Sequence, residues 1–305
     1  MTWSTPDGTP AEQPDLVLAH LSDTHLTSAG VRYNQVLDAD AALDRAVAVL
    51  RAALADGRRL DAVVLSGDLT DTGDPAAYRR LRAAVEPLGV PVIYATGNHD
   101  VRTEFHRSLL DRTEDGPVLQ VHRLGGLRVV VLDSTVPGAG QGRLAGAHLA
   151  ALTAELAEPA PAGTIVVLHH APLPPPSPLL SYFALESTSR HALARTVQDT
   201  DVRLILAGHH HLAQSGMLGG VPVAVAGSTA IRTDPLGPDG HERTWAGGAF
   251  NLVQVFAGTI VVSVVPVDGA PVVFDLDADG CQAVIDAHPA PRPAALSPDA
   301  RSPGR

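Results

Sequence analysis

Short apolar segments alternate with helical segments through most of this 305-residue sequence. Residues 15–23, 61–68 and 90–100 are rich in Val, Leu, Ile and Ala, a composition typical of buried strands. Residues 39–57 and 74–89 lie between them and carry apolar side chains at helical spacing. Strands separated by helices of this length form β-α-β units around a parallel sheet. The order of segments therefore predicts an α/β fold.

The second half of the sequence adds a hairpin, further β-α units and then strands without helices. The predicted strands are 118–124, 127–133, 164–170 and 202–211, and the predicted helices are about 143–157 and 186–199. Residues 212–276 contain strand-like segments only, the last of them PVVFDLD, which starts at Pro271. We therefore predict an α/β fold of two packed, mixed sheets with helices outside them, in a single domain over residues 16–286.

Four segments fall outside this pattern. Residues 1–15 are predicted to be a flexible N-terminal tail, and residues 287–305, rich in Pro, Ala and Ser, a disordered C-terminal tail. Residues 171–185 and 229–248 are long loops for a compact domain. Each loop is either a surface excursion or a wall of a substrate pocket, and composition does not decide between these alternatives.

Charge and composition exclude several classes of function. The chain has 22 Lys+Arg against 33 Asp+Glu and a net charge of −11, which disfavours broad nucleic-acid binding and binding to anionic membranes. All the basic residues are Arg, so mechanisms that need a Schiff-base or P-loop lysine are excluded. The single cysteine, Cys281, excludes an internal disulfide and a Cys-based zinc site. With no apolar run of transmembrane length and no basic segment of a secretory signal, we expect a cytoplasmic protein.

Polar residues follow five of the predicted strands at the point where each ends. They form the segments Asp23-Thr24-His25, Gly67-Asp68, Gly97-Asn98-His99-Asp100, His169-His170 and Gly208-His209-His210-His211. Each has a structural explanation when taken alone; Asn98 or Asp100, for example, could cap a helix that starts at residue 101. Together, at the strand ends where α/β sheets bind ligands, they predict a metal site. Imidazole, carboxylate and one amide suit Mn, Fe, Zn or Co, and the set is large enough for a pair of ions bridged by a carboxylate.

This ordered set resembles the calcineurin-like metallophosphoesterases. The motifs are D-x-H (23–25), G-D-x-x-D (67–71), G-N-H-D (97–100), His169 and G-H-x-H (208–211). The wider context, including LSDTHL, ATGNHD and LAGHHH, is similar to the class III cyclic-nucleotide phosphodiesterases of bacteria, particularly the mycobacterial type. The similarity covers about residues 16–267. It implies a four-layer α-β-β-α sandwich of two mixed sheets.

The resemblance also implies a role for each motif residue. One metal would be bound by Asp23, His25, Asp68 and His211, and the other by Asp68, Asn98, His169 and His209. A hydroxide held between the ions would be the nucleophile, His99 would contact phosphate and protonate the leaving oxygen, and Asp71 would orient His99. The doubled His169-His170 leaves two alternatives, of which the first is assigned as the ligand, and His210 is expected to face away as a non-ligand.

The implied reaction is hydrolysis of 3′,5′-cyclic nucleotides (cAMP and cGMP) to 5′-nucleotides with two divalent or trivalent transition-metal ions, Fe or Mn first and Zn or Co next. A phosphodiesterase or phosphatase of broader specificity, acting on 2′,3′-cyclic nucleotides, glycerophosphodiesters or other small phosphoesters, has the same metal motifs. A non-catalytic metal-binding protein is the alternative outside the enzymes. The resemblance further implies a homodimer, and Arg232 is a candidate for additional positive charge near the substrate.

Overall fold

A computed structural model describes residues 9–269 and 271–288 of the chain. The strands are β1 (Leu16–Leu21), β2 (Ala62–Leu65), β3 (Val92–Tyr94), β4 (Leu119–Leu124), β5 (Leu127–Leu132), β6 (Thr164–His170), β7 (Val202–Gly208), β8 (Gln214–Leu218), β9 (Val221–Val225), β10 (Ile231–Thr233), β11 (Thr244–Ala246), β12 (Ala249–Val255) and β13 (Ile260–Pro266). The α-helices are α1 (Ala39–Ala55), α2 (Pro75–Val85), α3 (Arg102–Leu109), α4 (Gly146–Glu155), α5 (Pro178–Tyr182), α6 (Ser187–Val197) and α7 (Ala278–Ala287). A 3₁₀ turn, Glu86–Leu88, follows α2.

Residues Pro14–Gly269 form one compact unit that contains every strand. Its five-stranded sheet has the order β13-β12-β1-β2-β3, and its six-stranded sheet has the order β4-β5-β6-β7-β9-β8. Strands β1, β2 and β3 are parallel, as are β5, β6, β7 and β9, while β12, β13, β4 and β8 add antiparallel pairs. The sheets are therefore mixed, as predicted, and their parallel centres bring several strand ends to one edge.

Three groups of buried apolar side chains account for the layers of this unit. Between the sheets, Leu18 and Val64 of the first pack with Val129 and Val167 of the second. Helices α1, α2 and α3 cover the outer face of the five-stranded sheet, and α4 and α6 cover that of the six-stranded sheet. The predicted α-β-β-α sandwich is confirmed, because both sheets bury apolar side chains on both faces.

Capping side chains and glycine turns account for the main helix starts and for one hairpin. The carboxylate of Asp38 accepts a hydrogen bond from Ala41 N–H at the start of α1, and Asp74 caps α2 in the same way. Gly219 and Gly220 connect β8 to β9 with φ angles of 56° and 82°, the left-handed backbone that a two-residue hairpin turn requires. None of the helices in the described residues has both the length and the apolar character needed to span a bilayer.

The predicted last strand, PVVFDLD, is wrong. A strand needs a hydrogen-bonded neighbour, and this segment pairs with no strand among the described residues; Val273 is 92% exposed. The segment leads instead into the unpredicted helix α7, whose first turn is capped by Asp277. Residues 1–8 and 289–305, most of the two predicted tails, lie outside the described residues. The domain limits 16–286 stay a prediction.

Arg128 of β5 provides a test of what holds the six-stranded sheet together. Its side chain is 3% exposed, its guanidinium donates to both carboxylate oxygens of Asp201 at 3.0 Å, and its Nε donates to Thr164 Oγ1 at 2.9 Å. We expect Arg128→Ala to lower the free energy of unfolding by about 3–5 kcal/mol, because it leaves the Asp201 carboxylate without its cation.

Urea unfolding measures this loss, with Arg123→Ala as the matched control. Arg123 lies on the neighbouring strand β4, is 66% exposed and contacts Glu155 at 3.4 Å. Its loss should cost under about 1 kcal/mol. Equal losses in the two variants would show that the buried pair does not stabilise this sheet.

Candidate metal centre

The ends of five parallel strands meet at one edge of the sandwich and deliver the motif residues. Asp23 and His25 follow β1, Asp68 follows β2, Asn98 and His99 come after β3, His169 lies in β6, and His209 and His211 follow β7. Backbone hydrogen bonds join the first two of these loops, from Asp23 N–H to Gly67 O and from His25 N–H to Asp68 O, both at 2.9 Å. Because β1, β2 and β3 belong to one sheet and β6 and β7 to the other, both sheets contribute side chains to this site.

Four of these side chains form the first ligand group. Its members, all predicted for one metal, are Asp23, His25, Asp68 and His211, with ligand atoms within 4.8 Å of one another. His25 Nε2 lies 3.0 Å from His211 Nε2 and 3.8 Å from Asp68 Oδ2, and His211 Nε2 lies 3.3 Å from Asp23 Oδ1. Imidazole nitrogens and carboxylate oxygens converging in this way are suited to one divalent cation.

Asp68 also belongs to the second ligand group, with His169 and His209. His169 Nε2 lies 3.3 Å from Asp68 Oδ2 and 3.3 Å from His209 Nδ1. Asn98 lines the same pocket as Asp68 and His209, and its buried Oδ1 has no hydrogen-bond partner among the described residues. A buried carbonyl oxygen without a donor costs free energy, and a cation would relieve that cost. The residues present thus fit two metal ions that share Asp68.

Backbone carbonyls select which nitrogen of the histidines in the second group faces the other ligands. His169 Nδ1 donates to Ser66 O at 2.8 Å, which leaves Nε2 as the ring nitrogen that faces Asp68. His209 is reversed: its Nε2 donates to Phe183 O at 3.0 Å, which leaves the Nδ1 lone pair directed at His169. Hydrogen bonds of this kind orient metal-binding imidazoles and raise their basicity.

The charges of the ligand groups are those that cations require. Burial raises the pKa of Asp68, but the neighbouring His169 and His25 outweigh burial and lower it well below its ordinary value. Burial lowers the pKa of His25 and His209, so both are neutral imidazoles. Burial also acts to lower the pKa of His169, but the charge of Asp68 prevails and raises it to about 9. A metal ion beside Asp68 would take the place of the proton that His169 holds there.

Five predicted ligands have a strained backbone. Asp23, His25, Asp68, His209 and His211 have φ angles between 44° and 71°, a region that residues other than glycine seldom occupy. Strain of this kind persists only where the surrounding structure enforces it, and it concentrates at functional sites. These turns direct successive side chains of one loop into the same small volume.

His99 lies at the edge of the ligand groups and is joined to Asp71. Its Nδ1 lies 3.0 Å from Asp71 O and 3.4 Å from Asp71 Oδ1, which leaves Nε2 free of both contacts. Burial lowers the pKa of His99, but the hydrogen bond to Asp71 and the charge of Asp68 outweigh burial and raise it to about 10. The same Asp71 oxygen lies 3.6 Å from His25 Nδ1. The Asp71 carboxylate therefore lies beside one predicted ligand and the predicted proton donor.

Asp100 is a half-buried residue that links two loops of the site. Its carboxylate accepts hydrogen bonds from the backbone N–H groups of Leu69, Thr70 and Gly97 at 2.9–3.2 Å, and from the hydroxyl of Tyr78 at 2.9 Å. The helix-cap interpretation of this motif is wrong, because α3 begins after Val101 without a side-chain cap. The carboxylate joins the Asp68 loop to the Asn98-His99 loop instead.

His170 and His210 make their hydrogen bonds to residues outside the ligand groups. His170 Nδ1 lies 2.9 Å from Ser134 Oγ, and its Nε2 lies 3.0 Å from Gly140 O. His210 Nδ1 lies 2.6 Å from Gln214 Oε1. Neither residue belongs to a group of metal-binding side chains in the described part of the chain.

An open pocket of about 380 Å³ lies above the ligand groups. Its floor includes Asp68, Asn98, His99, His209 and His211; its walls include Leu179, Leu180 and Phe183 from loop 171–185 and Ile231, Thr233, Glu242 and Thr244 from loop 229–248. Both long loops are thus pocket walls, which decides between the two alternatives left by the sequence. The proposal for Arg232 is wrong, because strand alternation directs its neighbours Ile231 and Thr233 into the pocket and leaves Arg232 exposed.

Comparison with known proteins agrees with this geometry. Residues 16–213 match the family described as Calcineurin-like phosphoesterase. The chain belongs to this phosphoesterase family. It is 42% identical over 267 residues to the "cAMP/cGMP dual specificity phosphodiesterase MT0825" of Mycobacterium tuberculosis (strain CDC 1551 / Oshkosh), covering 86% of this chain and 82% of that protein. It is 44% identical over 274 residues to a Rhodococcus erythropolis protein named "Probable cyclic nucleotide phosphodiesterase", covering 88% and 89% of the two chains.

A solved structure supports the same fold. The phosphoesterase chain resembles a purple acid phosphatase from yellow lupin seeds, with a TM-score of 0.61 over 84% of this chain and 52% of that one. At 15% identity this likeness shows the shared fold. Metallophosphoesterases use divalent metal ions, and the described residues of this phosphoesterase include groups of His and Asp side chains that could bind them.

Sequence reasoning missed some residues of the phosphoesterase site. The Phe183 carbonyl that accepts from His209 could not be found, because a backbone acceptor leaves no signal in residue type. Tyr33, whose ring centroid lies 4.9 Å from that of His25, and Asn34 line the pocket from an irregular loop without periodicity. Glu242 is one of three acids in a Gly/Pro-rich loop, and nothing in the sequence separates it from Asp234 and Asp239.

Removing one carboxylate should distinguish the shared ligand from an unshared one. We expect Mn²⁺-saturated protein to hold about two ions per chain, Asp23→Asn about one and Asp68→Asn fewer than about one, because only Asp68 serves both groups. Elemental analysis after gel filtration measures the stoichiometry.

The control is Asp199→Asn, an exposed residue whose φ of 58° is similar to the 51° of Asp68. Asn is tolerated in this region, so neither change adds backbone strain. If Asp68→Asn retained as many ions as Asp199→Asn, the shared-ligand assignment would be wrong.

Proposed function

We propose that this phosphoesterase is a dinuclear, metal-dependent phosphodiesterase that hydrolyses cAMP and cGMP to 5′-nucleotides. The position of Asp68 is the observation that carries the proposal, because its carboxylate lies within 3.8 Å of imidazoles in both ligand groups, on the floor of the pocket. The names of the two relatives support the substrate class. The site-residue roles implied by the sequence are part of the same proposal.

The ligand set favours Fe or Mn, with Zn or Co as further candidates, because the donors are imidazoles, carboxylates and one amide oxygen. Asp23, His25, Asp68 and His211 would hold one ion, and Asp68, Asn98, His169 and His209 the other. When bound, two such ions would polarise the phosphoryl oxygens and lower the pKa of water to about 7.

Among the residues described, no arginine lines the pocket, and the chain has no lysine. Attraction for an anionic substrate must therefore come from the site itself, where two divalent ions would outweigh the charges of Asp23 and Asp68. A small net positive charge suits a singly charged phosphodiester, and this accounts for anion binding by a protein with a net charge of −11.

His99 is the residue that we propose as proton donor to the leaving oxygen. Its side chain lines the pocket, and Asp71 fixes the tautomer by accepting from Nδ1, so that Nε2 can hold a proton toward the substrate. With a pKa raised to about 10 in the metal-free chain, His99 is protonated at neutral pH. Cations bound nearby would lower that pKa and make proton transfer easier.

The homodimer and the cytoplasmic location stay predictions. Family resemblance supports the dimer, and light scattering of the full chain would measure it. Fractionation of the producing cells would test the location.

Steady-state kinetics on metal-stripped and Mn²⁺-reconstituted protein tests the proposed substrate class. We expect efficient, Mn²⁺-dependent hydrolysis of 3′,5′-cAMP and of the activated diester bis(p-nitrophenyl) phosphate, with 5′-AMP as the nucleotide product. Rapid cleavage of the activated diester with negligible turnover of cAMP and cGMP would instead favour the broader phosphoesterase; 2′,3′-cAMP and glycerophosphodiesters would then identify its substrate. No metal-dependent hydrolysis of any diester would contradict the catalytic proposal.

His99→Ala should separate catalysis from metal binding. We expect kcat for cAMP to fall by about 10²–10⁴-fold, because a positioned proton donor contributes on that scale, while the metal content stays unchanged. His191→Ala, an exposed histidine on α6, is the control. Wild-type turnover by His99→Ala would show that His99 has another role, and a loss of metal would make it a ligand.

A further inference from the structure

The hairpin β10–β11 forms a pocket wall that leads outward from the ligand groups. Thr233 N–H donates to His211 O at 3.1 Å, and Thr233 pairs directly with Thr244. Glu242 lies two residues before Thr244, which places its Cα about 7 Å farther along the extended chain. All three residues line the pocket. A polar wall thus extends from a predicted metal ligand to a carboxylate.

The Glu242 carboxylate has no hydrogen bond or ion pair to any other described residue. The adjacent Arg243 is already occupied, because its Nε donates to Asp234 Oδ2 at 2.6 Å and its guanidinium lies 5.0 Å from the centroid of the Trp245 ring. Alternation along the chain puts Glu242 and Thr244 on the pocket side and leaves Arg243 to fix the hairpin from the other side.

A carboxylate in this place selects for hydrogen-bond donors on the substrate. It repels a second phosphate charge, and no arginine of the described pocket lining neutralises it. A cyclic nucleotide with its phosphate at the ligand groups and its base along this wall would present the N–H groups on the edge of a purine to Glu242.

We propose that Glu242 is a specificity-determining residue that accepts hydrogen bonds from the base edge and favours guanine over adenine. This inference rests on the proposed function, since it assigns the far end of the same pocket. Guanine has N1–H and N2–H side by side, which match the two oxygens of one carboxylate, whereas adenine has a single amino group on that edge. Charge-assisted, bidentate hydrogen bonds of this kind are among the strongest available for recognition.

The test removes one donor from the ligand and the acceptor from the protein. Cyclic IMP keeps N1–H of cyclic GMP and lacks only the N2 amino group. We expect Mn²⁺-reconstituted full-length chain to prefer cGMP over cyclic IMP by roughly 10-fold in kcat/KM, mostly through KM, because the base contact is made in both the bound and the transition state. Glu242→Gln should reduce that preference to about one.

Asp239→Asn is the matched control, since it removes the same charge from an exposed position of the same loop that does not line the pocket. It should keep the wild-type preference for cGMP. Calorimetric Kd values for 5′-GMP and 5′-IMP supply a second readout that does not need turnover. An equal cGMP-to-cyclic-IMP preference in Glu242→Gln and wild type would overturn the inference.

If the proposed phosphodiesterase function were wrong, the measurements would differ from those expected when only the Glu242 inference is wrong. In that case wild type would hydrolyse no diester, while a Glu242-dependent difference between 5′-GMP and 5′-IMP affinities would still support the base contact. Loss of both the turnover and the affinity difference would overturn both proposals.

Discussion

The geometry of the site depends on the carboxylate of Asp100. Three backbone N–H groups and the Tyr78 hydroxyl converge on it, and they come from the loop that carries Asp68, the loop that carries Asn98 and His99, and helix α2. Burial and the nearby charge of Asp68 raise the pKa of Asp100 to about 6, against the effect of these hydrogen bonds. No basic side chain among the described residues pairs with this carboxylate, so backbone N–H dipoles and the Tyr78 hydroxyl stabilise its charge.

The two-sheet sandwich makes this arrangement possible. Each sheet contributes strand ends that could not bind a pair of ions by themselves: Asp23, His25, Asp68 and Asn98 follow strands of the first sheet, and the remaining imidazoles belong to the second. The apolar packing between the sheets fixes the distance between the strand ends of one sheet and those of the other. The carboxylates of Asp23 and Asp68 repel each other, and the apolar core must offset this loss of folding free energy. Bound cations would remove the repulsion.

Much of the fold and of the ligand groups could be predicted from the sequence. An apolar run that ends in Asp, Asn or His indicates both a buried strand and a metal-binding side chain at the end of that strand. Residue type alone could not choose between His169 and His170; in three dimensions His169 Nε2 lies beside Asp68, whereas His170 is within hydrogen-bond distance of Ser134 and Gly140. PVVFDLD has strand composition without a partner strand, and pairing partners are a property of the tertiary fold. The base-facing role proposed for Glu242 depends on the hairpin register, which a Gly/Pro-rich loop does not reveal.

The left-handed backbone at five predicted ligands also limits how this sequence can drift. Asn, Asp and Gly tolerate that conformation, whereas β-branched residues do not. A gene copy released from selection for metal binding would therefore accumulate Asn or Gly at Asp23 and Asp68 before other residues, and could keep its sandwich intact. Such replacements in a descendant would mark a protein that has exchanged hydrolysis for a role as a folded scaffold.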